Sequence, residues 1–336
     1  MQNKLSMEIA AKKFLVIGGG GFVGKALCLK LKELGAEVIS LSRSDYPELR
    51  AAGITCLQHD IEQSFDSISQ ELSGIDGVFH TASKVDMWGA YEDFYRTNVV
   101  GTKNVIESCR KNGIKYLIYT SSPSVIADGK DTSGVDESYP YPDSYMANYP
   151  ATKAMAEKLI RSANVSGLYT IALRPHLIWG PGDRHLLPTI LERAKAGRLP
   201  QIGAGNNLVD TSYIDDCVQA HVLAMSSLMK NKDLGGRVYF ISQGEPVKLW
   251  GWIETILAMN NIEPIKKRVP KWLGMMIATI LEGVSNFVTK KEPLLTRFLI
   301  SQMSCSHYFD ISNAKRDLGY EPKFTVDQGL IATFRS

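Results

Sequence analysis

A short apolar run that leads through four glycines into an amphipathic stretch is the feature that most constrains this chain. Phe14-Leu15-Val16-Ile17 predicts a buried strand, and Gly18-Gly19-Gly20-Gly21 follows at once. Apolar residues at helical spacing between Phe22 and Leu34 then predict a helix that Gly35 ends. A strand that enters a helix through a glycine turn is typical of the first unit of a parallel α/β sheet.

Three of the glycines, Gly18, Gly21 and Gly24, have the spacing of a dinucleotide-binding turn. In such a turn, Gly18 permits the tight bend, Gly21 lets the backbone approach a pyrophosphate, and Gly24 lets helix and strand pack closely. The phosphates then bind at the helix N-terminus, at Phe22 and Val23, where free N–H groups and the helix dipole favour an anion. Four consecutive glycines also occur in flexible turns, but the flanking strand and helix favour a dinucleotide site.

The rest of the first half repeats the alternation of strands and helices. Apolar runs predict strands at Glu37–Leu41, Gly77–His80 and Tyr116–Tyr119, with a helical stretch at Tyr91–Arg110 before the last of them. Such strands indicate a parallel sheet covered on both faces, and right-handed crossovers make it doubly wound. The predicted fold class is α/β, a doubly wound parallel (Rossmann) sheet with a smaller, mostly helical C-terminal cap.

The pattern changes after about Gly180, where Pro and Gly become frequent, and from Leu249 onward it is largely helical. We therefore predict an NADP-binding Rossmann domain over residues 12–180, with later strand returns near 209–245. Residues 181–336 are predicted to form mainly a substrate-binding cap. Because no repeat and no long linker separates the two parts, the cap is not expected to be an independent unit.

The composition argues against several other classes of protein. The chain has 336 residues, of which 44% are hydrophobic and 22% charged, with a formal net charge of +3, which is ordinary for a globular protein and small for one that binds nucleic acid. Residues Met1 to Lys13 contain no apolar signal-peptide core, so we expect a cytoplasmic protein. The five cysteines are widely spaced and odd in number, which argues against a disulfide framework, and no spacing of His, Cys or Asp indicates a metal site.

The end of the second predicted strand bears on the choice between NAD and NADP. An NAD-preferring site usually has a carboxylate here that binds the adenosine ribose hydroxyls. This chain has Ser42, followed by Arg43. A guanidinium suits a 2′-phosphate, and the missing carboxylate removes a repulsion. We therefore expect NADPH, with the alternative that Arg43 only projects into solvent.

Tyr149 and Lys153 stand four residues apart at the start of a helical stretch, so they share one face of the helix. An ammonium beside a phenol stabilises the phenolate, which predicts that the pKa of Tyr149 falls from its usual ~10 toward neutrality. Tyr149 would then donate and accept protons. Ser122 lies just past a predicted strand, at the sheet edge where ligands bind, and its hydroxyl can hydrogen-bond a substrate carbonyl.

Other residues compete for these roles. Tyr141 and Tyr145 are alternatives to Tyr149, but neither has a lysine four residues later. Ser121 and Ser124 flank Ser122, and Ser124 is the harder of the two to exclude. One Tyr-x-x-x-Lys match occurs by chance in many proteins. The glycine loop, the serine strand end and the Tyr/Lys pair in this order argue against coincidence.

These motifs resemble those of the extended short-chain dehydrogenase/reductases, and more narrowly of the 3β-hydroxysteroid dehydrogenase-like group. The resemblance covers nearly the whole chain, with further matching stretches at residues 78–83, 97–102, 173–183, 213–216 and 308–320. The family usually has Thr before the first loop glycine, whereas this chain has Ile17. That difference loses a local hydrogen bond but no phosphate contact.

Within the group, the chain is most similar to the reductases of bacterial long-chain olefin biosynthesis, on residues 20–28, 42–47 and 85–89. The resemblance implies NADPH-dependent reduction of a 2-alkyl-3-oxoalkanoic acid to the 2-alkyl-3-hydroxyalkanoic acid. The small-molecule partner would be a β-keto acid with long alkyl chains. The resemblance also implies a homodimer and leaves contact with other enzymes of the olefin pathway open.

The same resemblance implies roles for individual residues. Ser122, Tyr149 and Lys153 would form a catalytic triad in which Ser122 holds the keto oxygen and Tyr149 protonates it. Further cofactor contacts would be Asp60 and Ile61 at the adenine, Thr81, Ala82 and Ser83 at the middle of the cofactor, Lys153 at the nicotinamide ribose, and Pro175 near the nicotinamide. Asn98 could orient Lys153 through water, but we favour a structural role for it.

The longest near-continuous apolar run, Trp272–Leu281, lies between Lys266-Lys267-Arg268 and Lys290-Lys291. It is shorter than the ~20 residues that span a bilayer, so no membrane span is predicted. Four interpretations stay open: peripheral contact with a membrane, a wall of an acyl-chain pocket, a docking site for a partner enzyme, and a buried cap helix.

Three other functions remain as alternatives. A 3β-hydroxysteroid or sterol dehydrogenase would use the same triad with a different pocket. A sugar-nucleotide epimerase or reductase is disfavoured because the stretch with His176, Leu177 and Trp179 is too apolar for a diphosphate sugar. A non-catalytic NADP-sensing regulatory protein would typically lose the Tyr/Lys pair, which this chain retains.

Overall fold

A seven-stranded parallel sheet lies at the centre of the structure, in the order β3-β2-β1-β4-β5-β7-β12. Its strands are β1 (Lys13–Ile17), β2 (Glu37–Ser42), β3 (Thr55–Gln58), β4 (Gly77–His80), β5 (Tyr116–Thr120), β7 (Tyr169–Pro175) and β12 (Val238–Ile241). The strand order reverses between β1 and β4, which creates the crevice where such sheets bind ligands. The predicted α/β, doubly wound fold class is confirmed.

The structure is a computed structural model that describes residues 7–289 and 291–335. The expectation that the N-terminus carries no signal peptide falls partly on residues 1–6, and Lys290 belongs to the predicted basic flank. These residues lie outside the described ones.

Helices and short helical segments connect the strands and cover both faces of the sheet. The α-helices are α1 (Phe22–Glu33), α2 (Pro47–Ala51), α3 (Tyr91–Phe94), α4 (Gly101–Lys111), α5 (Asn148–Ser162), α6 (Leu186–Lys195), α7 (Ile214–Lys230), α8 (Leu249–Met259), α9 (Lys271–Val284), α10 (Arg297–Ser304), α11 (Ser312–Leu318) and α12 (Val326–Phe334). A π-helical segment, Tyr95–Val100, joins α3 to α4, and a second one, Ser285–Thr289, extends α9. The helix predicted at Tyr91–Arg110 is therefore present, with a π-helical middle.

Two hydrophobic cores lie on opposite faces of the sheet. In β1, Phe14 and Val16 pack into one core, while Leu15 and Ile17 pack into the other. All four side chains are buried, because successive residues of a strand point to opposite faces and here both faces are covered. This arrangement explains why β1 is a continuous apolar run rather than an alternating one.

The second half of the chain adds β12 to the main sheet and builds smaller sheets. β10 (Leu208–Val209), β13 (Val247–Lys248), β15 (His307–Phe309) and β6 (Thr132–Val135) form one of these, β8 (Ile178–Trp179) pairs with β11 (Ser212–Tyr213), and β9 (Gln201–Ile202) pairs with β14 (Arg268–Val269). The chain thus returns to the main sheet after the first half. The predicted division into two domains near Gly180 stays a prediction.

One buried ion pair fixes α5 on the sheet. The Arg174 guanidinium, on β7, donates to both carboxylate oxygens of Glu157 on α5, from Nε to Oε2 at 3.0 Å and from Nη2 to Oε1 at 2.6 Å. The side chains are 1% and 0% exposed, and the hydroxyl of Tyr141 donates to Oε1 at 2.6 Å. This bidentate hydrogen bonding offsets the free-energy cost of removing both charges from water. It also sets the rotation of α5, which carries Tyr149 and Lys153.

The apolar segment near the C-terminus is longer than predicted. α9 and its π-helical extension form one helix, Lys271–Thr289, of 19 residues, which by length and composition alone could cross a membrane. The prediction that this segment is too short for a span is therefore wrong, because the helix continues beyond Leu281. The interpretation as a buried cap helix is also wrong, since only 22% of its most apolar stretch is buried.

Candidate active site

The four glycines form the turn between β1 and α1. Gly18 has a φ of +84°, in the left-handed region that favours glycine. A Cβ on Gly18 would lie 2.7 Å from the backbone nitrogen of Ala82, and one on Gly24 would lie 2.1 Å from the Gly18 oxygen. The structure therefore has no room for a side chain at either position, which fits the predicted turn and packing roles.

The outer side of this loop is open and can receive phosphates. A Cβ on Gly21 would meet only the Gly18 oxygen, at 3.2 Å, and Gly21 itself is exposed. α1 begins at Phe22 with no side-chain cap, so the first-turn N–H groups, including that of Val23, are left for another acceptor. An open backbone beside an uncapped helix N-terminus fits the pyrophosphate of a dinucleotide.

Ser42 braces the loop from the end of β2. Its hydroxyl accepts a hydrogen bond from the Gly20 N–H at 2.9 Å. The ring of Tyr46 lies against the same glycine, because a Cβ on Gly20 would be 1.9 Å from the ring. Sequence reasoning missed Tyr46, since an aromatic residue in a loop carries no motif.

The residues predicted to bind the adenosine end of the cofactor lie at the carboxyl ends of β2 and β3. Arg43 is exposed and has no hydrogen-bond or ion-pair partner among the described residues. Nearby Arg50 is instead paired with Asp45. After β3, an Asp60 carboxylate oxygen accepts the backbone N–H of Glu62 at 3.0 Å, and the following Ile61 is buried.

The predicted middle of the cofactor site follows β4 and lies beside the glycine loop. The Thr81 hydroxyl donates to the Ile17 carbonyl at 2.9 Å. The backbone of Ala82 packs on Gly18, and the Ser83 hydroxyl donates to Asn98 Oδ1 at 3.0 Å. The structure thus brings Thr81 and Ala82 to the loop, whereas Ser83 contacts Asn98. The cofactor contacts of all three residues stay predictions.

Asn98 ties this segment to α5. The buried amide accepts the Lys84 N–H at 2.8 Å and donates to the Lys84 carbonyl at 3.1 Å and to the Thr152 hydroxyl at 3.0 Å. With the Ser83 bond, both ends of the amide are used. These contacts are the structural role that we favoured for Asn98.

Ser122 and Tyr149 meet at the carboxyl edge of the sheet. Ser122 follows β5 and begins a short 3₁₀-helix, Pro123–Ile126, where its hydroxyl accepts the Ser124 N–H at 3.2 Å. Tyr149 is in the first turn of α5. Hydrogen bonds between the Tyr149 phenol and the hydroxyls of Ser122 and Ser124 both lower the pKa of Tyr149. The structure therefore keeps Ser124 as an alternative to Ser122.

The direction of the Tyr149 pKa shift differs from the prediction. Burial raises the pKa of Tyr149, and the two serine hydroxyls offset only part of that rise. The prediction that Lys153 lowers this pKa is wrong for this structure, because the ammonium is directed elsewhere. Lys153 Nζ donates to the Thr120 carbonyl at 2.6 Å and lies 4.2 Å from the centroid of the Tyr119 ring. A phenol with a raised pKa keeps its proton at neutral pH, which suits a proton donor.

Lys153 is buried in the middle of α5. Burial lowers the pKa of its ammonium to about 7, against an opposing effect of Glu157 one turn later. The Thr120 hydroxyl bonds His221 Nε2 at 2.7 Å, and His221 Nδ1 bonds the Cys217 carbonyl at 2.7 Å. Because a carbonyl only accepts, His221 carries its proton on Nδ1 and accepts from Thr120. This chain of bonds holds the carbonyl that Lys153 contacts.

Two histidines that sequence reasoning did not assign to the site line a cavity next to Ser124. His176 follows Pro175, the buried last residue of β7, and its Nε2 lies 2.6 Å from Nδ1 of His307. His307 Nε2 donates to the Gln302 carbonyl at 2.8 Å, so its Nδ1 accepts from His176. Burial lowers the pKa of both rings. A strand end was the signal for His176, whereas His307 had none.

The fold and the site together define a nicotinamide-dependent oxidoreductase of the short-chain dehydrogenase/reductase type. Residues 15–270 match the 3-beta hydroxysteroid dehydrogenase/isomerase family. The chain belongs to this family.

Curated relatives cover nearly the whole chain. A 2-alkyl-3-oxoalkanoate reductase from Shewanella oneidensis is 43% identical over 324 residues, which are 94% of this chain and 84% of the relative. One from Stenotrophomonas maltophilia is 41% identical over 95% of this chain and 97% of the relative. A sterol-4-alpha-carboxylate 3-dehydrogenase from Mus musculus is 34% identical over 97% of this chain and 91% of the relative.

Solved structures share the fold at lower identity. An epimerase from Methanothermobacter thermautotrophicus superposes with a TM-score of 0.79 at 20% identity, over 100% of this chain and 94% of that one. MoeE5 in complex with UDP-glucose and NAD gives a TM-score of 0.75 at 22% identity, over 96% and 97%. At these identities the likeness concerns the fold alone.

The buried ammonium of Lys153 generates a prediction about stability. Between pH 7 and about 10, the unfolded chain binds a proton at this lysine that the folded protein lacks, so wild-type stability rises with pH. Lys153→Met removes the cost of burying the charge. The cofactor-free variant should be more stable than wild type at pH 6, by on the order of 2 kcal/mol. The advantage should shrink as the pH rises through 7.

Denaturant unfolding between pH 6 and 9.5 measures this difference. Lys158→Met is the matched control, because Lys158 is an exposed lysine on the same helix. A gap between Lys153→Met and wild type that does not change with pH would contradict the buried, titrating ammonium.

Proposed function

We propose that this protein is an NADPH-dependent reductase that converts a 2-alkyl-3-oxoalkanoic acid into the 2-alkyl-3-hydroxyalkanoic acid in long-chain olefin biosynthesis. One observation carries the reductase assignment. At the carboxyl edge of the sheet the Ser122 hydroxyl is hydrogen-bonded to the phenol of Tyr149, and Lys153 lies one turn further along α5. The substrate class rests on the two bacterial relatives that are 41–43% identical over nearly the whole chain. The protein would be a cytoplasmic homodimer with no nucleic-acid partner.

The chemistry requires a hydride at the keto carbon and a proton at the keto oxygen. The bound nicotinamide cofactor supplies the hydride. Ser122 holds the keto oxygen by a hydrogen bond, and Tyr149 donates its proton to that oxygen, so the carbonyl becomes a hydroxyl. Acid catalysis of this kind typically contributes ~10²–10⁴-fold. Lys153, whose ammonium donates to the Thr120 carbonyl, would bind the nicotinamide ribose one turn away from Tyr149.

The cofactor would lie along the edge that the glycine loop forms with the ends of β2 to β5. Its pyrophosphate would bind at Gly21 and the first turn of α1, where the backbone is open. The Thr81–Ser83 segment would line its middle, and Pro175 would lie near the nicotinamide. Arg43, which has no partner among the described residues, would bind the 2′-phosphate.

Tyr149→Phe should reduce turnover by at least 10²-fold while NADPH binding changes little, because the variant loses only the proton donor. Turnover is followed by NADPH absorbance, and binding by cofactor fluorescence. Tyr145→Phe is the matched control: its hydroxyl donates to the Val125 carbonyl at 2.8 Å and has no assigned part in the reaction. Full turnover in Tyr149→Phe would refute the assignment.

Arg43→Ala should weaken NADPH binding by roughly tenfold or more and leave NADH binding nearly unchanged, because only NADPH carries the 2′-phosphate. The dissociation constants of both cofactors are compared in wild type and variant. Arg50→Ala controls for the loss of a nearby arginine, since Arg50 is already paired with Asp45. An equal loss for NADPH and NADH would refute the phosphate role of Arg43.

The substrate class is tested by oxidation of NADPH in the presence of a racemic 2-alkyl-3-oxoalkanoate and, separately, of a 3-ketosteroid. We expect turnover of the keto acid at a higher kcat/KM than of the steroid. Activity on the steroid alone would replace the proposed function by that of a steroid dehydrogenase. The steroid is the competing substrate because one relative is a sterol-4-alpha-carboxylate 3-dehydrogenase.

A further inference from the structure

The helix Lys271–Thr289 buries small and polar residues and exposes large apolar ones, which is the reverse of an ordinary surface helix. Its inward face consists of Gly274, Ala278, Glu282 and Ser285, all buried. Its outward side chains are large and apolar, with exposed fractions of 68% for Trp272, 49% for Met276, 58% for Ile280, 42% for Val284 and 86% for Phe287. We call these five residues the apolar face of α9.

The five residues recur every three or four positions, so they lie on one side of the helix. From Trp272 to Phe287 the face is about 22 Å long at 1.5 Å per residue. Exposed apolar patches of this extent are rare on soluble proteins unless something binds to them. Val288, in the last turn of the helix, and Leu294, beyond its end, are also exposed, at 74% and 68%.

Basic residues flank the apolar face at both ends. Lys266, Lys267 and Arg268 precede the helix, and Lys291 follows it; all four are exposed. The exposed acids of these flanks are Glu263, which pairs with Lys266 at 3.4 Å, and Glu292. The surplus is positive, which is complementary to an anionic surface. Apolar side chains between lysines are the pattern of a helix that lies in a membrane interface.

We propose that the apolar face of α9 docks on an anionic lipid bilayer, with the helix axis parallel to the membrane plane. The side chains of the face enter the boundary between headgroups and acyl chains. The flanking lysines contact the headgroup phosphates. The rest of the protein stays on the aqueous side.

An orientation across the membrane conflicts with the packing of the inward face. Glu282 is 9% exposed at its side chain and accepts from the Arg297 side chain at 2.7 Å and from its backbone N–H at 2.6 Å. A span would move this carboxylate into hydrocarbon, at a large cost. It would also separate Gly274 from Ile300, which lies so close that a Cβ on the glycine would be 3.1 Å away.

The docked face is one helix away from the candidate site. α9 packs on α10 through Gly274 and Ile300, and the Lys271 ammonium donates to Cys305 Sγ at 2.9 Å. Ser301 and Cys305 line the same cavity as Ser124 and His176. A long-chain substrate that leaves the bilayer would therefore reach the protein on the side where the cavity lies. Only this last step rests on the proposed function.

Vesicle co-sedimentation of the purified full-length protein tests the docking without cofactor or substrate, so its outcome is independent of the proposed reaction. Wild type should bind vesicles of phosphatidylcholine with about 30% phosphatidylglycerol more tightly than vesicles of phosphatidylcholine alone, and added salt should reduce the difference. The double variant Trp272→Ser/Phe287→Ser should bind at least tenfold more weakly. Lys266→Gln/Lys267→Gln should lose about fivefold of the anionic preference per lysine.

Val165→Ser/Ile331→Ser is the matched control, because both residues are 50% exposed and lie outside the apolar face. It should bind vesicles as wild type does, and all variants should keep the wild-type unfolding midpoint. On binding, the tryptophan emission should shift to the blue. Trp272→Phe should still bind but lose most of that shift.

Three results would overturn the proposal. One is no binding of wild type to the anionic vesicles. Another is equal binding by wild type and Trp272→Ser/Phe287→Ser. The third is a double variant that turns a wild-type dimer into a monomer in size-exclusion chromatography without weakening vesicle binding, which would make the face an interface between protein chains.

Discussion

The buried ion pair between Glu157 and Arg174 determines where the candidate site lies. Glu157 follows Lys153 by four residues and Tyr149 by eight, so the three share one face of α5. When Arg174 on β7 holds that carboxylate with two hydrogen bonds, the same face is pressed against the sheet. Tyr149 then reaches the serine hydroxyls after β5, and Lys153 reaches the Thr120 carbonyl. The electrostatics of the site follow from this burial.

Much of the fold could be predicted from local pattern. The glycine turn and the strands at β1, β2, β4 and β5 were visible because a buried parallel strand is a continuous apolar run. β3 was missed because its four residues, Thr55–Gln58, are only partly buried and include polar side chains. The strand end before Ser122 and the four-residue spacing of Tyr149 and Lys153 were enough to predict that Ser122 and Tyr149 come together and that Tyr149 and Lys153 share one helix face.

The properties that depend on three-dimensional burial could not be predicted in this way. Spacing predicts that Lys153 lies near Tyr149 but not that its ammonium is directed to Thr120. The predicted direction of the Tyr149 pKa shift was therefore wrong. His307 lines the cavity from β15, and no sequence pattern assigned it a role there. The apolar run at Trp272 was visible, but which of its faces the protein covers depends on α10 and on the Glu282–Arg297 pair.

Transfer of a hydride from NADPH to the keto carbon is open to direct measurement with deuterium. NADPH deuterated at both C4 positions is incubated with the intact enzyme and a 2-alkyl-3-oxoalkanoate, and the product is examined by mass spectrometry and NMR. We expect one deuterium, bound to C3 of the 2-alkyl-3-hydroxyalkanoate. A product without deuterium at C3, or no conversion of the keto acid while a 3-ketosteroid acquires the label, would contradict it.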